Sequence, residues 1–322
     1  MKFISMLAAV GAVAALPASQ PQAECKNPEK RIEWRQMDPK DQKSYLDAVL
    51  CLKTKPSKIG LNSTLYDDFP NVHFKLNDYI HGGAPFLPWH RYFSWVYLNT
   101  LREECGYKGP GTYWDWTLDT KGLRFSPVMS GEHNFGGDGS TNRTEVGPAG
   151  DKLQCVDDGP FSKVRPEWLG VNPKKMVGGG HCLFRNLPEV SEPSAFAVSA
   201  TIFGPENIAK VQAHKTWDQF RWDLEGGPHG IIHGSLGGEM NPTTSPNEPL
   251  FFLHHPQIDR IWWQWQQKND SRLTDYYGPA YHVGEKGSRE VKLDDLLHMN
   301  GLAKDITVRE VMDISKRLCY TY

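Results

Sequence analysis

Twelve histidines are spread over 322 residues, and half of them fall into two groups with ordered spacing. His73, His81 and His90 lie in NVHFKLNDYIHGGAPFLPWHRYF; His229 and His233 lie in PHGIIH, and a His-His pair follows at 254 and 255 in FFLHHPQIDR. On a helix, positions i and i+4 share a face, so His229 and His233 can aim two imidazoles at one metal. Imidazole suits copper, zinc, nickel or iron. A set with neither carboxylate nor thiolate keeps its ligands neutral, which serves both oxidation states of copper in a redox cycle. Zinc hydrolysis competes for such ligands, but no HExxH pairs them with a general base. The ligand chemistry points to copper.

Such ligands need rigid carriers. Residues 41–53 place Tyr45, Ala48, Val49 and Leu52 at helical spacing. Pro88 opens a second helical stretch that Gly106 ends. A third starts near Gly227-Pro228 and runs through HGIIHGSL, and a fourth covers residues 249–268. Pro256 interrupts that fourth stretch, so the helix either kinks there or starts there. Between the second and third helices, residues 118–195 are rich in Gly, Pro and Asp, and so much irregular backbone needs support beyond helix packing. The expectation is a mainly α fold: a helical bundle holding a dicopper centre, with long loops and few short strands.

In combination these segments resemble the tyrosinase and catechol oxidase family. HGGAPFLPWHRYF followed by YWDW at Tyr113 to Trp116 is similar to its first copper motif; LEGGPHGIIHGSLGG and FFLHHPQIDRIWWQWQ are similar to its second. RIEWRQM, DAVLCL and the closing Tyr320-Thr321-Tyr322 resemble the edges of the short fungal-type core, so the likeness runs from about residue 25 to the C-terminus. It implies two copper ions, one on His73, His81 and His90 and one on His229, His233 and His255, with His254 left as a packing or supporting residue. It implies O₂ as co-substrate and a small phenolic substrate, with o-diphenols oxidised to o-quinones. Phe251 matches the aromatic that stacks above the copper pair, and Glu225 the glutamate that holds a water near the second copper. A buried carboxylate there could accept a phenolic proton. Asp259 is expected to accept an imidazole N–H and fix a ring.

Three positions depart from the pattern. Gly230 follows the first histidine of the second trio, where strongly monophenolase relatives often carry asparagine; this tilts the expectation toward diphenols. Tyr79 stands where many relatives have a cysteine joined to the second ligand. If residues 1–322 are the whole gene product, no C-terminal cover over the site is expected and the enzyme should need no proteolytic activation. Two other readings share these motifs: a pathway-specific enzyme of secondary metabolism, and an O₂ carrier of the haemocyanin kind, which a short chain without repeats disfavours.

Residues 1–18 read as a signal peptide, with Lys2 ahead of an apolar run at residues 3–16 that is too short to span a bilayer. Residues 19–322 are then one catalytic domain in a secreted protein. Six cysteines suit disulfides in that setting, with 15 pairings open. Asn62, Asn142 and Asn269 each begin an N-x-S/T glycan acceptor. A net charge of −2 gives no pull toward nucleic acid or an anionic membrane.

Overall fold

The computed structural model describes residues 25–281 and 289–322; the expected signal peptide at 1–18 lies outside them. Long helices and irregular loops make up most of it, as the sequence pattern predicts. Helix α1 (Pro39–Leu52) begins with Asp38 accepting the Lys40 N–H at 2.9 Å and with Pro39 in the first turn, and it buries Tyr45, Ala48, Val49 and Leu52. Helix α2 (Leu65–Ile80) carries His73 and has no counterpart among the sequence expectations. Its N-terminus is held by Asp67, whose carboxylate accepts the Thr64 N–H at 3.1 Å and meets Lys53 Nζ at 2.9 Å. Helix α3 (Phe86–Cys105) starts two residues before Pro88 and ends where Gly106 takes the left-handed conformation at φ 70°.

Helices α4 (Pro193–Phe203) and α5 (Pro205–Ala213) lead into α6 (Trp217–Leu224). The third expected helix does not start afresh at Pro228. Instead α6 runs on through a wide turn at Glu225–His229 into α7 (Gly230–Leu236), with Gly227 leaving helical geometry at φ −92°, ψ −107°. Helix α8 (Phe251–Gln266) passes straight through Pro256. The proline removes one hydrogen bond and opens the turn before it; the Leu253 carbonyl there accepts the Trp114 N–H at 3.1 Å, which binds the YWDW segment to the helix.

Helices α3 and α8 form the centre of the core. Phe252 stacks on Tyr97 with ring centroids 3.5 Å apart, and Phe69 of α2 packs 5.5 Å from both Phe93 and Phe252. Strands are short and paired in twos: β1 (Glu29–Lys30), β2 (Ile32–Glu33), β3 (Thr112–Tyr113), β4 (Gly139–Val146), β5 (Lys152–Val156), β6 (Leu169–Asn172), β7 (Lys175–Val177), β8 (Leu296–Leu297), β9 (Ile306–Thr307) and β10 (Tyr320–Thr321). β4–β5, β6–β7 and β8–β9 are antiparallel hairpins or ladders, whereas β1–β10 and β2–β3 are parallel and bring distant segments together. The six cysteines pair as Cys25–Cys319, Cys51–Cys105 and Cys155–Cys182. The last of these lies inside the irregular stretch that the sequence marks as needing support. Among the described residues no helix is long and apolar enough to cross a membrane.

Candidate metal centre

The six histidines singled out by spacing come together from four places in the chain. His73 projects from α2, His81 from the residue that ends it, His90 from the first turns of α3, and His229 and His233 from the wide turn and α7; His255 comes from α8. In the first trio the rings lie 5.0 Å (His73–His81), 5.1 Å (His81–His90) and 5.5 Å (His73–His90) apart. In the second, His229 lies 4.5 Å from His233 and 5.1 Å from His255. The trios abut where His90 stacks on His255 at 4.3 Å.

Hydrogen bonds to the backbone decide what these rings can do. Nδ1 of His73 lies 2.7 Å from Thr243 O, that of His90 2.8 Å from Phe86 O, that of His229 3.0 Å from Glu225 O, and that of His233 2.6 Å from Met240 O. His81 Nδ1 meets Asn77 O at 3.3 Å and Asn77 Oδ1 at 3.1 Å. A carbonyl only accepts, so each Nδ1 carries the proton and each Nε2 keeps a lone pair. Nε2 of His229, His233 and His255 is buried without a partner. His73 and His90 point their Nε2 atoms at each other across 3.3 Å, two lone pairs facing with no proton to share. A cation removes that conflict: two nitrogens on one tetrahedral ion with bonds of about 2.0–2.1 Å sit about 3.3 Å apart. Burial, and then the neighbouring imidazoles, push His73, His90, His229 and His255 far below the usual histidine range, and burial lowers His81 and His233 to about 4. All six are neutral at physiological pH, as ligands must be. The donor set of these residues fits two copper ions.

His254 shares the second cluster, since its ring nitrogen lies with those of His229, His233 and His255 inside 4.8 Å. Its Nδ1, however, accepts the Trp116 Nε1–H at 3.1 Å, which puts the proton of the neutral ring on Nε2 and leaves no lone pair for a metal. Trp116 was missed as a site residue; only its membership of YWDW marks it.

Phe251 is fully buried between the trios, with its ring 4.0 Å from His255 and 5.3 Å from His73. Glu225 accepts the Gly82 N–H on Oε1 at 2.6 Å, while its Oε2 is buried and has no partner. Burial raises its carboxyl to about 7. Gly230 is exposed at φ −62°, ψ −35°, and a Cβ there would meet only Glu225 O at 3.5 Å. Asp259 corrects the sequence reading. Its carboxylate touches no imidazole, and His255 Nδ1 stays unpartnered. It is taken instead by Arg91 Nε, the Tyr320 hydroxyl, Tyr322 OH at 2.5 Å and Arg31 Nη1 at 3.4 Å. Two buried guanidiniums outcompete a neutral ring for an anion; against the opposing effect of burial, Arg91 and Arg31 hold the acid below its usual range.

Residues 63–268 match the sequence profile of the common central domain of tyrosinase. The chain belongs to the tyrosinase family. It is 37% identical over 314 residues to the tyrosinase-like protein phomQ1 of Diaporthe leptostromiformis, covering 94% of this chain and 80% of that one. It is 31% identical to the N-acetyl-6-hydroxytryptophan oxidase ivoB of Emericella nidulans, with both chains covered in full. A solved polyphenol oxidase variant from Thermothelomyces thermophila superposes with a TM-score of 0.77 at 26% identity, over 92% of this chain and 88% of that one. The chain is thus a copper-dependent oxidoreductase by family, with a helical fold shared by a polyphenol oxidase. The backbone acceptors Thr243, Met240 and Phe86 could not be found from sequence, because a carbonyl carries no residue signature.

Proposed function

We propose that this member of the tyrosinase family is a secreted enzyme that binds two copper ions, on His73, His81 and His90 and on His229, His233 and His255, and oxidises o-diphenols to o-quinones with O₂. One observation carries the reading: all but one of the six imidazoles donate Nδ1–H outward to a carbonyl and turn a bare Nε2 inward. The bound copper pair supplies the O₂ and redox chemistry. Two diphenols give up four electrons and four protons together, enough to reduce one O₂ to two waters.

The chain's residues bind, orient and deprotonate. Phe251 closes the floor between the trios, excludes water there and fixes the tilt of His255. Glu225 Oε2, desolvated and unpaired, takes a phenolic proton; with its carboxyl near 7 it can both accept and release one at neutral pH. Gly230 leaves the approach beside it clear of side chains. Three disulfides and the exposed Asn62, Asn142 and Asn269 acceptors support an oxidising, secretory setting.

A second reading is favoured by the ivoB relative, named for an aromatic amino-acid derivative: the substrate is a larger tailored phenol of secondary metabolism. Helix α4, uncharged from Pro193 to Phe203 and exposing Val198, lies beside Gly227 with Ile202 Cγ2 3.9 Å from where a Cβ would stand. That apolar flank suits a substrate with an apolar extension. The experiment is copper analysis of the secreted protein with product analysis on a panel of catechols, monophenols and hydroxyindoles. Two coppers and quinone products support the proposal; zinc, or reversible O₂ uptake without product, overturns it.

A further inference from the structure

His73 and His233 belong to different trios, yet their Nδ1 acceptors, Thr243 O and Met240 O, lie on one short strap, residues 237–248. The strap has almost no regular structure of its own, only single turns at Gly238–Met240 and Ser245–Asn247. Its position is therefore set by what it touches. Next to Met240 stands Glu239, fully buried and bonded through Oε1 to Nε2 of an equally buried His181; its Oε2 accepts Asn247 Nδ2 at 3.0 Å. Asn247 also donates to Trp168 O at 2.6 Å and accepts on its own carbonyl the Tyr66 hydroxyl of α2 at 2.5 Å. The Gly170 N–H reaches Thr244 Oγ1 at 3.0 Å, and Glu239 N–H reaches Phe184 O at 3.1 Å. Gly237 and Gly238 have positive φ and press so close to residues 184–186 that a Cβ on either would stand 2.3 Å from a carbonyl oxygen.

A buried carboxylate is costly, and apolar packing would hold a loop as firmly. What a fully bonded acid adds is a single orientation. Glu239 links the strap at both ends, to His181 beside the Cys155–Cys182 bridge and to Asn247 beside α2. We infer that Glu239, together with His181, is a positioning residue for both copper trios at once: it holds the strap so that Met240 and Thr243 fix one imidazole in each. The irregular excursion through residues 164–187 then has a role, which is to buttress the metal centre from behind. The inference rests on the reading of the six imidazoles as copper ligands.

The test is competition for Cu(I) between the full-length protein and a chromogenic chelator. It is run on the native chain and on the His229→Ala/His233→Ala background, which keeps only the His73 trio. Removal of a group that orients metal ligands typically lowers affinity about 10- to 100-fold. Glu239→Ala should do so in the native chain and again in the background, although no hydrogen bond joins Glu239 to His73. Thr244→Val, which removes one strap bond without changing volume, should weaken the His73 trio alone. If Glu239→Ala does not fold, Glu239→Gln carries the same test, because its oxygen keeps the Asn247 bond but its amide N–H can meet His181 only by forcing that ring into its other tautomer; a smaller loss in both trios is expected. Unchanged affinity, or a loss confined to the His233 side, overturns the inference. A native chain that binds fewer than two coppers overturns the ligand reading instead.

Discussion

Replacing Glu225 by glutamine separates a proton acceptor from a merely buried acid. The side-chain carbonyl can keep the Gly82 N–H that Oε1 accepts at 2.6 Å, so the geometry of the turn survives. What is lost is the basic Oε2, which has no partner to replace it. Burial raises the folded carboxyl from 4.5 to about 7. The sign of the linkage follows: an acid with a raised folded pKa favours folding below its unfolded pKa, and that contribution is lost as pH climbs through the folded value. In the metal-free protein, the contribution of Glu225 alone should therefore fall by about 1.4 kcal/mol per pH unit between 4.5 and 7, on the order of 3 kcal/mol in full, read as the difference between parent and variant. Glu225→Gln removes this slope: it should match the parent in stability near pH 4 and exceed it above pH 7. In the copper-loaded enzyme, general-base assistance of about 10²- to 10⁴-fold is at stake, with monophenol turnover falling more than catechol turnover. The assay is paired denaturant melts from pH 4 to 8 on the metal-free protein, with both activities on the loaded one. Parallel stability curves combined with an unchanged monophenol-to-catechol ratio would refute the reasoning.

Copper analysis should give two ions per chain, and the double substitution His229→Ala/His233→Ala should leave about one, on the trio whose Nε2 atoms face across 3.3 Å. Gly230→Asn fits without displacement, since its Cβ would meet only Glu225 O at 3.5 Å; the monophenol-to-catechol rate ratio should rise while the melting temperature hardly moves. Metal-free protein should lose stability as pH falls from 6.5 toward 4, because the unfolded chain takes up protons that buried His81 and His233 refuse until about pH 4; chemical melts across that range, compared with His81→Phe, check it. Asp259→Ala strands the buried Arg91 guanidinium and should cost about 3–5 kcal/mol, read as a fall in denaturation midpoint.

The histidine spacing disclosed the metal centre because ligand chemistry restricts residue type, and the amphipathic stretch at α1 and the glycine after α3 disclosed their helices for similarly local reasons. Helix α2 stayed hidden although Leu65, Phe69, Val72, Leu76 and Ile80 fall at helical spacing. Asp67, Asp68 and Asn71 are as inaccessible as its first apolar residues, and Pro70 sits inside it, where a proline reads as a break in a helix. Asp259 misled because i+4 spacing from His255 proposes a neighbour, whereas the competitors Arg31, Arg91, Tyr320 and Tyr322 come from segments whose meeting only the fold decides. The wide turn at Glu225–His229 escaped because its glycines permit both a helix start and a kink.

The parallel pair β1–β10, the Cys25–Cys319 bridge and the tyrosine hydroxyls on Asp259 together make assembly of this enzyme late-closing. The anchor of helix α8, one turn beyond His255, is completed only by Tyr320 and Tyr322, which lie 61 and 63 residues further along the chain than Asp259. Contacts between segments 294 residues apart form slowly, so the second histidine trio should be firmly seated only late in folding. A variant without the hydroxyls of Tyr320 and Tyr322 should fold its bundle loosely and hold metal poorly, because Asp259 then keeps only its two guanidinium partners.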